Sequence, residues 1–262
     1  MSTVFFLFLL HLSLGLLAAL PLVPARAGAR FFKFCSGSSA VMTALGLALL
    51  ARRHGPAAAA AAVGEGTIAA AAAFLLLTVL YNRAEHFGWR RPRGALLGGA
   101  VAAGVAAVVL GAPAERSGMV AAADLTSALL LGAAAAAMIL GHWYLVVLDL
   151  PIAALRRLTL LLIAALALRS LVVGLVLAGP VEAGLAEAGR VAAGLWSADG
   201  VFIWMRLLFG IAGPLSLLWF VWKTVEIRST QSATGILYVQ LFLVLSGELL
   251  ATYLRVAAGL PL

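Results

Sequence analysis

Residues 158–177 read LTLLLIAALALRSLVVGLVL, twenty positions that carry a single charge, Arg169. As an α-helix this stretch matches the hydrocarbon thickness of a bilayer, about 30 Å. A soluble helix of that length would show a polar face, and this one has none. The fold therefore turns on whether the rest of the chain repeats the pattern.

It does. Seven further apolar runs bring the count to eight: approximately Val4 to Leu22, Ser38 to Leu50, Gly66 to Asn82, Ala95 to Leu110, Leu125 to Leu148, Leu158 to Leu177, Phe202 to Trp222 and Thr234 to Leu254. Apolar residues make up 64% of the 262 positions and charged ones 11%, with mean hydropathy +1.11. That is too little polar surface for a water-soluble globule. The sequence predicts an all-α, polytopic integral membrane bundle of about eight transmembrane helices. The loops are too short for a separate soluble domain, so residues 1–262 form one transmembrane domain.

The net charge of +8 would suggest nucleic acid in a soluble chain. Here the basic residues sit between apolar runs, where they set orientation and meet anionic lipid headgroups. No nucleic-acid partner is expected. With the amino terminus outside, eleven basic residues fall on inner loops (Arg26, Arg30, Lys33, Arg83, Arg90, Arg91, Arg93, Arg156, Arg157, Lys223, Arg228) and five on outer segments (Arg52, Arg53, Arg116, Arg190, Arg255). The positive-inside rule then places both termini outside a cell inner (cytoplasmic) membrane. Arg26, Arg30 and Lys33 follow the first apolar run instead of preceding it, which reads as a retained span and not a signal peptide. Between spans six and seven, Val181, Leu185, Ala188, Ala192 and Leu195 recur at helical spacing after Pro180, predicting a short amphipathic surface helix. The lone cysteine, Cys35, excludes an intrachain disulfide and a multi-cysteine metal site.

Function is read from polar residues that a bilayer should reject. An ionisable side chain at mid-membrane costs about 2.5–3.5 kcal/mol on insertion scales, so each needs a partner or a purpose. Asp149 and Lys223 lie near helix ends and can snorkel. Asp124, Arg169, Arg206 and Glu248 cannot, and helical rise places all four in the outer half. Arg169 with Glu248 and Arg206 with Asp124 would neutralise each other and tie the helices together. Arginines in that setting would equally bind a lipid phosphate, a carboxylate or haem propionates, because the planar fork matches paired oxygens.

Within the fifth run, Gly141-His142-Trp143-Tyr144 concentrates functional side chains. His11 precedes Pro21 by ten residues and Arg26 by fifteen, while His142 precedes Pro151 by nine and Arg157 by fifteen. A four-plus-four duplication would set the two imidazoles at similar depth, as a bis-histidine haem b requires. His11, His142, Trp143 and Tyr144 are thus cofactor-binding candidates, and Trp222 with Gln231 would supply the stacking face and donor of a quinone pocket. Glu85-His86 and His54 lack metal-site spacing, so no metal site is expected. Gly210, Gly213 and Pro214 predict a kink in the seventh span.

No Gly-rich phosphate loop, Gly-x-Ser-x-Gly elbow, His-Glu-x-x-His zinc signature or Asp-rich prenyl-transfer motif is present, so no enzyme class follows from the sequence. Three readings remain. One is a haem- or quinone-interacting subunit of a membrane redox (respiratory) assembly, docked on other membrane subunits. The second is a small-solute or proton-coupled transporter or channel using the Arg/Glu site. The third is a non-catalytic assembly or scaffold subunit. Two histidines, the aromatic cluster and short loops favour the first.

Overall fold

A computed structural model of the chain describes residues 1–112, 117–147, 150–178 and 200–262. The described residues are almost entirely helical: α1 (Ser2–Ala19), α2 (Ala29–Val63), α3 (Glu65–Phe87), α4 (Arg90–Leu110), α5 (Ser117–Trp143), α6 (Ala153–Ala178), α7 (Gly200–Leu207), α8 (Gly213–Glu226) and α9 (Thr230–Ala258). A π-helical segment, Leu208–Ala212, joins α7 to α8 within one span. Eight of these stretches are long and apolar enough to cross a membrane. Asp149 and the amphipathic helix expected after Pro180 lie outside the described residues.

Spans two and four begin earlier than their apolar runs suggest, at Ala29 and Arg91. Arg30, Lys33 and Arg93 lie in the first turns, where long basic side chains reach the interface while the backbone stays helical. Hydropathy alone trims such turns. Helix α2 is interrupted at Gly55, whose φ of 69° and ψ of 162° suit a residue without a Cβ.

Helices α1 and α5 form the centre. In its most apolar window, α5 is 78% buried, against 22% for the fourth and seventh spans. Helices α2, α3 and α4 pack to one side of this pair, and α6 to α9 to the other. Outward-facing Leu76, Leu160, Leu171, Leu208, Trp219 and Phe242 are exposed. A contiguous apolar belt of this kind belongs against lipid.

The centre closes through glycine. A Cβ on Gly15 of α1 would overlap the main chain of Ala128, and one on Gly132 of α5 would overlap Gly15. Backbones approach this closely only where side chains are absent, the usual means of membrane-helix association. A second such crossing sets Gly210 of the π segment against Gly247 of α9.

The kink expected at Gly210, Gly213 and Pro214 takes the form of that π segment. Proline has no N–H and crowds the carbonyl four residues earlier, here Gly210. Widening one turn resolves the clash, and such bulges recur at functional sites.

Candidate functional site

Arginine on α6 and α7 meets glutamate on α9 in the half of the bundle that carries the termini. Arg169 donates from Nε to Glu248 Oε1 at 3.1 Å and from Nη2 to Oε2 at 2.9 Å. This is a bidentate fork on a single carboxylate. Arg206 approaches the same carboxylate from the other side, Nη2 to Oε1 at 3.0 Å. All three side chains are buried, with exposures of 2%, 0% and 0% for Arg169, Arg206 and Glu248. The Arg206 contact satisfies distance but not hydrogen-bond alignment, so neither Nη atom of Arg206 has a directed acceptor among the described residues.

Main-chain oxygens fill part of the remaining demand. Arg169 Nη1 donates to the Ala123 carbonyl at 3.0 Å, and Nη2 also reaches the Leu262 oxygen at 2.8 Å. Arg206 Nε reaches the same Leu262 oxygen at 3.4 Å. Close by, Arg255 pairs with Asp124 and donates to the Gly111 carbonyl at 2.9 Å. Arg169 and the Arg255–Asp124 pair line one small cavity of about 10 Å³, together with Ala123, Ser127 and Leu262, among others. Three guanidinium groups thus face two side-chain carboxylates and the Leu262 oxygen among the described residues.

The pairing differs from the sequence expectation in one respect. Arg206 does not meet Asp124; it shares Glu248 with Arg169, and Asp124 takes Arg255 instead. Arg255 counts as an outer-segment cation by hydropathy, yet it stands seven residues, two helical turns, beyond Glu248 on the same face of α9. That spacing is the signal by which it could have been found. Nothing in the sequence indicates that Leu262 folds back into the site.

The histidines are not brought together. His11 is buried, and neither ring nitrogen has a hydrogen-bond partner among the described residues. It precedes the Gly15–Gly132 crossing by one turn, about 6 Å, whereas His142 follows that crossing by about 15 Å. His142 is exposed at the opposite rim, its Nδ1 3.2 Å from Tyr238 Oη. The imidazoles are therefore about 20 Å apart along the bundle. The equal depth implied by a four-plus-four duplication is absent, because glycine contacts set the register of α1 against α5, not distance to the following Pro and Arg.

The other cofactor candidates have structural tasks. Trp143 Nε1 donates to the Ala27 carbonyl at 3.0 Å, and its ring meets Phe31 edge-on at 5.6 Å. Tyr144 Oη donates to the Pro151 carbonyl at 2.6 Å, and burial pushes its phenol pKa above the ordinary range. These bonds pin the α5–α6 turn. Trp222 lies beneath the Arg156 guanidinium, 5.2 Å from ring centroid to carbon, while Gln231 is exposed in the first turn of α9. The inner-rim cleft of about 490 Å³ is lined by Tyr144, Pro151, Arg228 and Thr230, among others, and neither Trp222 nor Gln231 belongs to it.

Glu85 pairs with Arg93 at 3.3 Å, and His86 packs edge-on against Phe87. No group of three or more His, Cys, Asp or Glu side chains among the described residues could hold a metal. Gln240 is fully buried, and both its amide atoms are unpartnered among the described residues. It lies eight residues inward of Glu248 on α9, about 12 Å along the axis.

Comparison with protein-family models, curated proteins and solved structures gave no match to this chain.

Proposed function

We propose that this multi-pass membrane protein is a small-solute carrier or channel whose working centre is the Arg169–Glu248–Arg206 cluster, taking an anionic oxygen group. The observation that carries this reading is one carboxylate shared by two buried arginines. A purely structural clamp would match each guanidinium to a carboxylate, as Arg255 and Asp124 are matched. Instead two fully buried arginines share one glutamate, leaving donors of Arg206 without directed acceptors among the described residues. Several kcal/mol of desolvation per ion is a poor exchange for stability alone. It suits a site that offers a dry, positively charged fork to an anion. His11, buried on α1 with no hydrogen-bond partner among the described residues, adds a further polar group to the bundle interior.

The redox reading draws less support. A bis-histidine haem b needs facing imidazoles, and these stand at different depths. Arg156 covers the aromatic face proposed for a quinone. A scaffold role shares the paired charges but does not use the undirected donors of Arg206. A helical bundle also suits a cytoplasmic-type membrane, since outer membranes are crossed by barrels.

The test is electrical. Purified protein in liposomes adsorbed on a sensor electrode should give transient currents on concentration jumps of acetate, sulfate or phosphate. Arg206→Gln should abolish the current for whichever anion is active. Absence of current with every anion, or currents unchanged by Arg206→Gln, would overturn the proposal.

A further inference from the structure

The cleft of about 490 Å³ lies at the rim opposite the termini. Thr230 in its wall precedes Glu248 by eighteen residues on α9, about 27 Å along the axis, so the cleft is separate from the buried arginine centre. Tyr144 and residues 150–153 wall it from the α5–α6 side, and Arg228 and Thr230 from the α8–α9 turn. Two hydrogen bonds brace the first wall: Tyr144 Oη donates to the Pro151 carbonyl and accepts the Leu155 N–H at 3.4 Å. The volume falls within the roughly 300–1,000 Å³ of small-molecule sites, and the space is already formed.

Positive charge and apolar surface meet at this cleft. Arg228 has a φ of 59°, a left-handed conformation that a bulky residue seldom adopts. Its guanidinium has no ion-pair partner among the described residues, because Glu226, the acid nearest in sequence, is taken by Lys223. Arg156 and Arg157 stand one helical turn along α6 from the Ile152–Ala153 wall, and both are exposed. Beside the polar walls the surface turns apolar: Ile227, next to Arg228, is 73% exposed, and Val146, two residues after Tyr144, is 69% exposed. A soluble anion in the cleft would leave those side chains in water. An amphiphile would cover them while its charged end met the guanidinium.

We infer that this cleft binds the headgroup of an anionic phospholipid, with the phosphodiester on Arg228 and the headgroup hydroxyls against Thr230. Basic pockets between membrane helices, on the side where loop cations gather, take such headgroups. The planar fork of arginine matches the two non-bridging oxygens of a phosphodiester. A zwitterionic headgroup would bring its own cation to a rim that already holds Arg156, Arg157 and Arg228. The site goes beyond the carrier reading and does not depend on it.

The experiment titrates the full chain in detergent with lipid and reads retained lipid per chain by native mass spectrometry. Phosphatidylglycerol should bind about tenfold more tightly than phosphatidylcholine. Arg228→Asn removes the charge but keeps a residue that tolerates positive φ, and should weaken phosphatidylglycerol about fivefold. Ala153→Phe fills the cleft, leaves every charge in place, and should weaken it at least as much. Arg83→Gln, an exposed arginine of α3 at the same rim, should change it by less than about twofold. Equal losses in Arg83→Gln and Arg228→Asn, or no loss in Ala153→Phe, would mean diffuse surface attraction and overturn the inference. Inorganic phosphate that displaces the lipid at equal concentration would assign the cleft to a soluble anion and overturn it too. Asp149 precedes Leu150 in the chain and lies outside the described residues, so Asp149→Asn is the remaining control. Unchanged or tighter phosphatidylglycerol supports the site, and loss of the preference overturns it. Should Arg228→Asn fail to fold, Ala153→Phe alone decides between the cleft and the bare surface.

Discussion

The two ends of the bundle handle charge in opposite ways. At the half that carries the termini, Arg169, Arg206 and Glu248 are sealed from solvent and bound to one another through three helices. At the opposite rim, Lys223 pairs with Glu226 on one exposed helix turn, and Arg156 lies over Trp222. Both ends hold ion contacts near 3 Å, yet their energetic meanings differ. Rim charges keep most of their hydration, so their contacts add little. Sealed charges have lost theirs, so removing any partner exposes the full cost of burial. Distance alone does not rank these contacts; access to water does.

Substitutions can break or sharpen that contrast. Glu248→Gln leaves two guanidinium groups without a carboxylate and should destabilise the bundle by about 3–5 kcal/mol, measured by reversible unfolding in detergent. A loss under about 1 kcal/mol would mean that water or lipid headgroups already reach the centre. Gly132→Ala tests the neutral core at similar depth. Its methyl would meet the Gly15 main chain, forcing α1 from α5 at about 1–3 kcal/mol in the same assay. Asp124→Asn should cost less than Glu248→Gln, about 1–2 kcal/mol, because Arg255 keeps the Gly111 carbonyl and is partly exposed. Arg156→Ala should shift stability by only about 0.5 kcal/mol, the value of an exposed cation over a ring. An Arg156 effect as large as that of Glu248 would erase the distinction between the two ends.

Eight spans and the presence of embedded charges were legible because lipid imposes a strict length and composition on each helix. Arg169 could be singled out for the same reason: seven apolar residues precede it and no rim is within snorkelling reach. Partner choice was harder to read. Asp124 and Arg206 share a depth, but depth does not say which helices are neighbours, and Asp124 faces Arg255 across the α5–α9 contact. The His11–His142 pairing failed for a related reason. Spacing to a later proline or arginine measures distance to a loop, whereas packing register is fixed by Gly15 and Gly132, glycines that no hydropathy plot marks. The tail was invisible in principle. Four small and apolar residues carry no periodicity, and their position depends on a pocket made by α6, α7 and α9.

The π segment at Leu208–Ala212 has a consequence for how the gene can vary. It holds one residue more than an ordinary turn would, so it acts as a phase shifter between the two arms of the seventh span. Deleting any one of its five codons would leave composition, hydropathy and every charge intact. It would also let the segment close to an ordinary turn, keeping the Gly200–Leu207 arm in phase and Arg206 on Glu248. The same loss from either α-helical arm would instead rotate Arg206 by about 100° against the rest of the span, so length is under stricter constraint in the arms than in the segment that joins them.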